Sequence, residues 1–536
     1  MKKIKLLFLS IVTFGFVTSC EDAYNIVQDG ELNDEVAVQS VDDMQAYLNG
    51  VYSHISTGSE IAFTAIFTDE TGTGYGSGGQ NFDTHRFQLT AANGYAYGIW
   101  YTHYEAINRA NRLLKAAVAI TPDAADVDKY NSIIAQARAI RAFCHLELIS
   151  YFSPDMKDDN ALGVILMDRV PDTLEDLPRN TNGEVYTLIE SDLDFAYNNL
   201  SPSLTYKFMT KNLVNAMRAR MYLYRGKYAL AQQYAQDVIA NSGLQLAVAT
   251  PVPTPAPTNP NYSVVVALNP LTLGSPTTAW NNSFYGAAST NPYRRMFADL
   301  NQGEVIFALD RPATGGWENI AGNFSTNATN VSGSPFFEVG RNLFNELRSV
   351  PGDVRRYANV DPTSRINQNY DTDPNYLQSD VLIIDKYPGK GSQPLRNDLK
   401  VFRLSEMYMI LAECYARSGN YNGATASTAW AVKKIRDARN FLNNNQPLPV
   451  YADATEALKD VLLERRKEFC FEGHRYVDLR RLGVELNVSI DRHPTDDEIK
   501  TLPTTIPNTD YRFTMPIPTA EINANGNIQQ NPSYGN

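Results

Sequence analysis

The densest group of side chains capable of chemistry lies in residues 464–483, ERRKEFCFEGHRYVDLRRLG. On a helix, side chains three and four residues apart are neighbours, so acids and bases at this spacing can pair. Such a set could supply a general acid and base, but networks of ion pairs commonly imitate active sites. We therefore predict a buried, salt-bridged joint between helices, with Phe469, Phe471 and Tyr476 on its buried side. Its charged members are Glu464, Arg465, Arg466, Glu468, Glu472, Arg475, Asp478, Arg480 and Arg481.

The remaining sequence contains no recognisable catalytic motif. There is no HExxH, no GxSxG, no phosphate-binding loop and no GxGxxG between a strand and a helix. The six histidines are scattered without ligand spacing and no CxxC occurs, which argues against a structural zinc site. We predict a protein that is not an enzyme, with no catalytic residue, metal or cofactor. A surface glycoside hydrolase stays open as an alternative, because the separation of two carboxylates is not visible in sequence.

The charge and the N-terminus indicate an exported protein. The formal net charge of −12 argues against nucleic acid as a partner, because phosphate binding needs a basic face. Three lysines precede an apolar run, residues 6–17, that is too short to span a membrane and leads through small residues to Cys20. Residues 1–19 are therefore predicted to be a signal peptide, and 20–40 a flexible tether. The other three cysteines, an odd number, are predicted to be packed thiols.

Helical periodicity dominates residues 41–243. It predicts helices at about 41–53, 100–119, 127–151, 181–200 and 211–224, and a last one to about 240. The last pair is repeated 193 positions later, in a pattern that resembles the tetratricopeptide helix pair: a small residue, an aromatic residue, a glycine turn and an alanine in the second helix. The residues of the first pair are Ala219, Tyr222, Gly226, Tyr228 and Ala231, and those of the second are Ala412, Tyr415, Gly419, Tyr421 and Ala424. A mostly α fold follows from this.

Regularity is lost over residues 244–400, apart from a strand predicted at 304–310. The segment TPVPTPAPTNP at 250–260 cannot form a helix, and aromatic residues follow it in Asn-, Ser- and Gly-rich surroundings. Rings held on loops suit sugars, because the apolar face of a pyranose stacks on an aromatic plane. A glycine-rich loop at 69–79 could form one wall of such a site. Our candidate ligand-binding residues are Asp69, Tyr75, Arg86, Trp280, Tyr285 and Trp317.

Several motifs along the chain together resemble the SusD/RagB family of nutrient-binding outer-membrane lipoproteins. Val17–Cys20 resembles a lipobox, and Glu21 and Asp22 are similar to the acidic tag that sends Bacteroidota lipoproteins to the cell surface. The other motifs are WYTHYEAINRANRLL (100–114), AQARAIRAFCHLELISYF (135–152), IESDLDFA (189–196), FRLSEMYMILAECYARSGN (402–420), residues 464–483, and MPIPTAEINANGNIQQNPSY (515–534).

The resemblance implies tetratricopeptide-like helix pairs in a right-handed helical scaffold, 41–243, a loop-rich ligand-facing region, 244–400, and a C-terminal region, 401–536, with the second helix pair. It implies a lipoprotein anchored in the outer membrane through Cys20 and exposed at the cell surface. There it would capture oligosaccharides for a SusC-like TonB-dependent transporter. A peptide-capturing relative of the RagB kind and a scaffold that binds only proteins remain alternatives.

Overall fold

The computed structural model describes residues 38–172, 175–250, 284, 289–324, 335–361, 364–391 and 393–535. Most of its regular structure is α-helical, as predicted. The N-terminal half contains α1 Val41–Ser53, α2 Gly58–Phe67, α3 Phe82–His85, α4 Gly94–Ala117, α5 Val127–Phe152, α6 Asn182–Asn199, α7 Lys211–Tyr224 and α8 Tyr228–Asn241. The remainder contains α9 Pro292–Phe297, α10 Arg341–Arg348, α11 Val354–Asn359, α12 Tyr376–Ser379, α13 Leu404–Arg417, α14 Thr428–Arg439, α15 Ala454–Phe469, α16 Arg475–Leu486 and α17 Thr519–Ala524.

Helix starts are fixed by side chains that satisfy free backbone N–H groups. The Ser40 hydroxyl accepts a hydrogen bond from Asp43 N at the start of α1, and the Asn93 side chain accepts two at the start of α4. At α6, Thr181 and Glu184 form a reciprocal capping box. The predicted helices therefore agree with the structure to within a few residues at most ends.

Successive helices from α4 to α8 pack on one another, and α8 packs in turn on α13. Gly226 and Gly419, at φ 71° and 81°, make the turns that follow the first helices of the two repeated pairs. At these φ values a side chain would be strained, which explains the glycines. One detail of the predicted repeat is wrong: Ala424 precedes the second helix, because a longer turn delays the start of α14 to Thr428.

In the part of the chain that the structure describes, four short strands form two antiparallel pairs. The predicted strand at 304–310 is confirmed as β2, Val305–Leu309, which pairs with β4, Leu399–Arg403. The other pair joins β1, Thr71–Thr73, to β3, Phe337–Val339. These pairs fix the loop-rich part to the helices, and β2 and β4 bring Glu304 and Arg403 beside α15. The domain boundaries at 243 and 400 stay a prediction.

Within the part of the chain that the structure describes, each helix is too short or too polar to serve as a membrane span.

Candidate functional site

Residues 464–483 form the end of α15, a tight turn and most of α16. The carboxylate of Glu468 is fully buried and accepts hydrogen bonds from Arg403, Arg439 and Arg355 at 2.8, 2.8 and 3.2 Å. Burial alone would raise the pKa of Glu468, but the guanidinium groups of Arg439 and Arg403 hold it well below its usual value. Glu468 is therefore charged at neutral pH, at the centre of a buried network.

Glu464 and Glu472, four residues before and four residues after Glu468, extend this network. Glu464 accepts from Arg355 at 2.6 Å and from Arg436 at 2.8 Å. Glu472 accepts two bonds of 2.7 Å from Arg403 and lies 2.7 Å from the buried Lys386 ammonium. We call the following set the ion joint: Glu304, Arg355, Lys386, Arg403, Arg439, Glu464, Glu468 and Glu472.

Most partners of the stretch come from other elements, as expected for a joint between helices. Asp478 pairs with Arg465 and Arg481, but Arg475 reaches Asp69 at 2.8 Å. Arg480 forms no ion pair with an acid among the described residues and donates instead to the Ser150 carbonyl at 2.7 Å. The pairing predicted for Arg480 is therefore wrong.

The ion joint is enclosed and offers no space to a substrate. Phe469, Phe471 and Tyr476 are buried beside it, as predicted. The neighbouring cavity, lined by Glu472 and His474 among others, measures about 30 Å³, enough for water and far too small for a sugar. The ion joint therefore has the geometry of a structural element that fixes α15 against β2, β4, α11 and α14.

The candidate ligand residues lie in different surroundings. Asp69 is 1% exposed and pairs with Arg475 and Arg466, which lower its pKa despite burial. It is a structural residue of the interior, and its assignment as a surface ligand contact is corrected here. A loop position in sequence does not reveal that the loop folds inward.

Of the other candidates, Arg86 is braced by Asp497, to which it donates two bonds of 3.0 Å, and by Glu498. Its guanidinium is therefore largely engaged. Tyr75 is 38% exposed and stays available to a ligand. Trp317 is half-buried, with the Arg311 guanidinium 5.6 Å from the centre of its ring. Trp280, Tyr285 and the predicted anchor Cys20 lie outside the described residues.

A second set of exposed rings, on α4, was not among our candidates. Tyr97 and Tyr101 are 45% and 50% exposed and stack at 5.5 Å between ring centres, 14° from parallel. Glu105 follows on the same helical face and pairs with His54 at 3.5 Å and Arg109 at 3.0 Å. The signal was present in the sequence: these tyrosines fall off the apolar stripe of α4, at i, i+4 spacing.

The segment before and at the start of α2 connects this tyrosine pair to Trp317. A Cβ on Gly98, next to Tyr97, would lie 2.6 Å from the Ser59 hydroxyl, so α4 packs closely on this segment. On the other side of this segment, Ser56 donates to Glu318 at 2.8 Å, and Arg311 donates to the same carboxylate at 2.7 Å. We call the set Ser56, Ser59, Tyr97, Tyr101, Trp317 and Glu318 the aromatic strip. It combines exposed rings with hydroxyls and a carboxylate.

No group of three or more His, Cys, Asp or Glu side chains among the described residues is arranged to hold a metal ion. The exposed rings and polar groups of the aromatic strip suit non-covalent binding through stacking and hydrogen bonds.

Two family models match this chain. One, described as "SusD family", matches residues 317–534, and the other, described as "Starch-binding associating with outer membrane", matches residues 27–223. The chain belongs to the SusD/RagB family. The two matched segments carry the motifs quoted above from residue 100 onward, and residues 224–316 lie between them.

SusD-like relatives cover the whole chain. "SusD-like protein P2" of Formosa agariphila is 23% identical over an alignment that covers 100% of both chains. "SusD-like protein P38" of the same organism is 23% identical and covers 91% of this chain and 93% of the relative. Both relatives are as long as this SusD-like chain or nearly so, and the similarity therefore concerns the full architecture.

Solved SusD-like structures share the fold. A SusD superfamily protein of Bacteroides thetaiotaomicron superposes with a TM-score of 0.69 at 23% identity, covering 92% of this chain and all of that one. A laminarin-binding SusD-like protein superposes with a TM-score of 0.61 at 20% identity, covering 93% and 100%. At this identity the likeness establishes the fold. The tetratricopeptide-like helical architecture predicted for this family member is confirmed.

Proposed function

We propose that this SusD-like chain is a cell-surface lipoprotein that captures oligosaccharides and passes them to a SusC-like TonB-dependent transporter. The observation that carries the proposal is the aromatic strip, in which the exposed Tyr97–Tyr101 stack and Trp317 flank one polar segment. Exposed rings can stack on the apolar faces of pyranoses, while Ser56 and Glu318 supply polar groups with which sugar hydroxyls can form hydrogen bonds. Family membership supports the same role.

The kind of site that the strip offers supports carbohydrate binding over glycoside hydrolysis. The strip is an open surface with one carboxylate, Glu318, already engaged by Ser56 and Arg311. Glycoside hydrolysis requires two carboxyl groups facing each other across a bond. The strip therefore fits capture without cleavage. Anchoring through Cys20 and delivery to a transporter rest on the family resemblance of the N-terminus and motifs.

The test is calorimetric titration of the mature chain with a panel of neutral polysaccharides, including starch and laminarin, and with peptides. We expect binding to at least one glycan. Tyr101→Ala and Trp317→Ala should each weaken it about tenfold or more, equivalent to about 1.4 kcal/mol. A matched control is Tyr197→Ala, which removes an exposed tyrosine of α6 and should leave the affinity unchanged.

Binding of peptides alone would refute the carbohydrate proposal, and release of reducing ends by the purified chain would refute its non-enzymatic part. Delivery is tested separately, by isolating the chain from outer membranes of cells with and without a co-expressed SusC-like transporter. Failure of the two proteins to co-purify at low detergent concentration would contradict the transporter partnership.

A further inference from the structure

A second concave feature lies on the helical side of the molecule. It is a cleft of about 570 Å³ between α1, the first turns of α5, and the chain that leaves α6 at residues 198–204. That volume falls in the range of small-molecule sites, roughly 300–1,000 Å³. We call it the amide cleft, because its polar lining consists mainly of amide and hydroxyl side chains: Gln45, Asn131, Ser132, Gln136, Asn198 and Ser203.

The floor of the amide cleft is fixed by hydrogen bonds. Gln136 is 3% exposed, and its Oε1 accepts from the Tyr52 hydroxyl at 2.8 Å. That hydroxyl in turn accepts from Met209 N at 2.8 Å. Ser132, also buried, accepts from Ser201 N at 3.2 Å and keeps its own O–H free to donate. The floor is thus pre-organised, with a hydroxyl donor that a ligand can use.

The walls carry unused hydrogen-bonding groups. The half-buried Asn131 side chain has no hydrogen-bond partner among the residues that the structure describes. Gln45 and Asn198 each donate one amide N–H within their own helices, to Asn49 and to the Asp194 carbonyl. Their amide oxygens remain as acceptors. The cleft therefore offers both donors and acceptors.

The charge and the apolar lining narrow the class of ligand. Lys129 is paired with Asp42, and Asp128 also lines the cleft as a carboxylate, so the charge there disfavours an anionic ligand. Ile133, Leu200 and Leu204 supply apolar surface between the amides. A lining of amides, hydroxyls and aliphatic side chains suits a molecule with hydroxyls on its edge and C–H groups on its faces. A neutral saccharide is a molecule of this kind.

From these contacts we infer that the amide cleft is a second saccharide-binding site, which takes a neutral mono- or disaccharide unit independently of the aromatic strip. The two sites adjoin opposite parts of α1. Gln45 lines the cleft, and His54, immediately after the helix, contacts Glu105 beside the strip. At 1.5 Å per residue this separation is about 14 Å along the helix axis. The inference concerns a surface that the proposed function does not use.

The test uses a chain whose strip is disabled by Tyr97→Ala, Tyr101→Ala and Trp317→Ala, with maltose and laminaribiose as probes. Saturation-transfer difference NMR detects weak binding of such disaccharides. We expect a signal from at least one probe on the strip-disabled chain. Adding Asn131→Trp, which places a ring in the cleft, should abolish it, whereas the control Asn241→Trp, at the exposed end of α8, should leave it intact.

Absence of a signal on the strip-disabled chain would overturn the inference, and so would a signal that survives Asn131→Trp. Binding of a neutral capped tripeptide in place of both sugars would overturn it as well. Melting curves verify that each variant is folded, and Ser203→Phe blocks the same cleft from its loop side should Asn131→Trp not fold. If the intact chain gives a signal that only Asn131→Trp removes, the result supports binding in the amide cleft and contradicts binding at the aromatic strip. The two proposals can therefore fail separately.

Discussion

Replacing Glu472 by alanine is the most direct test of the ion joint. Glu472 neutralises two buried cations at once, because Arg403 donates two bonds of 2.7 Å to it and Lys386 lies at 2.7 Å. Arg403 retains Glu304 and Glu468, at 2.6 and 2.8 Å. Among the described residues, Lys386 then retains one polar partner, the Glu468 carbonyl at 3.1 Å. The variant therefore leaves a buried ammonium without a carboxylate.

Removing one partner of a buried pair costs about 3–5 kcal/mol, because the other charge stays buried and unpaired. We expect Glu472→Ala to lower the urea midpoint of unfolding strongly. Glycan affinity of the folded fraction should not change, since the joint lies in the interior. The control is Glu485→Ala, which removes the exposed partner of Arg417 and should cost about 0–1 kcal/mol.

A second variant distinguishes loss of charge from loss of volume. Glu472→Gln keeps the shape of the side chain and some of its hydrogen bonds but not its charge, so its midpoint should lie between those of the wild type and Glu472→Ala. An unchanged midpoint in Glu472→Ala would refute our account of the joint. A large loss of glycan affinity at an unchanged midpoint would show that residues 464–483 take part in binding.

Three further predictions concern buried groups elsewhere. Burial raises the pKa of Glu70 to about 8, so the native state favours its protonated form, and this stability is lost as pH rises from about 4.5 through 8. Glu70→Gln should match wild type below pH 4.5 and exceed it by on the order of a few kcal/mol above pH 8, measured by urea unfolding at each pH. Gly74→Ala should lower the melting temperature, because its Cβ would collide with the Pro335 carbonyl; a melting temperature equal to that of wild type would contradict the close approach of β1 and the chain before β3. In the folded mature chain, a thiol reagent should react only after denaturant is added, since burial raises the thiol pKa values of Cys144, Cys414 and Cys470.

Sequence periodicity and motifs were sufficient to predict most of the long helices and the family, but not the helices Gly58–Phe67 and Arg341–Arg348. Helix limits such as Val41–Ser53 and Lys211–Tyr224 match the structure because local spacing and capping residues determine them. The buried aromatic side of residues 464–483 was likewise predictable, since a charged stretch that also carries large rings must bury them. The glycine turns of the two helix pairs followed from the same local rules.

The candidate site was predicted only in part, because exposure depends on how distant segments fold together. Trp317 is half-buried and belongs to the surface that we propose for binding, but Asp69 is buried by contacts with residues some 400 positions away. Tyr97 and Tyr101 were left out since a ring off the apolar stripe of a helix is exposed only if no other element covers it. The packing of α4 against the chain around Ser59 decides that, and this packing is not written in the local sequence.

For residues 464–483, the sequence by itself determined the kind of interaction: carboxylates and guanidinium groups at helical spacing, which must be paired if buried. Only the tertiary structure decided the partners. Glu468 meets Arg403 and Arg355 across 65 and 113 residues of chain, and Arg480 meets a carbonyl and not an acid. The physical reason is that charge is a property of each residue, whereas the partner of a buried charge is whichever group the folded chain brings within hydrogen-bond distance.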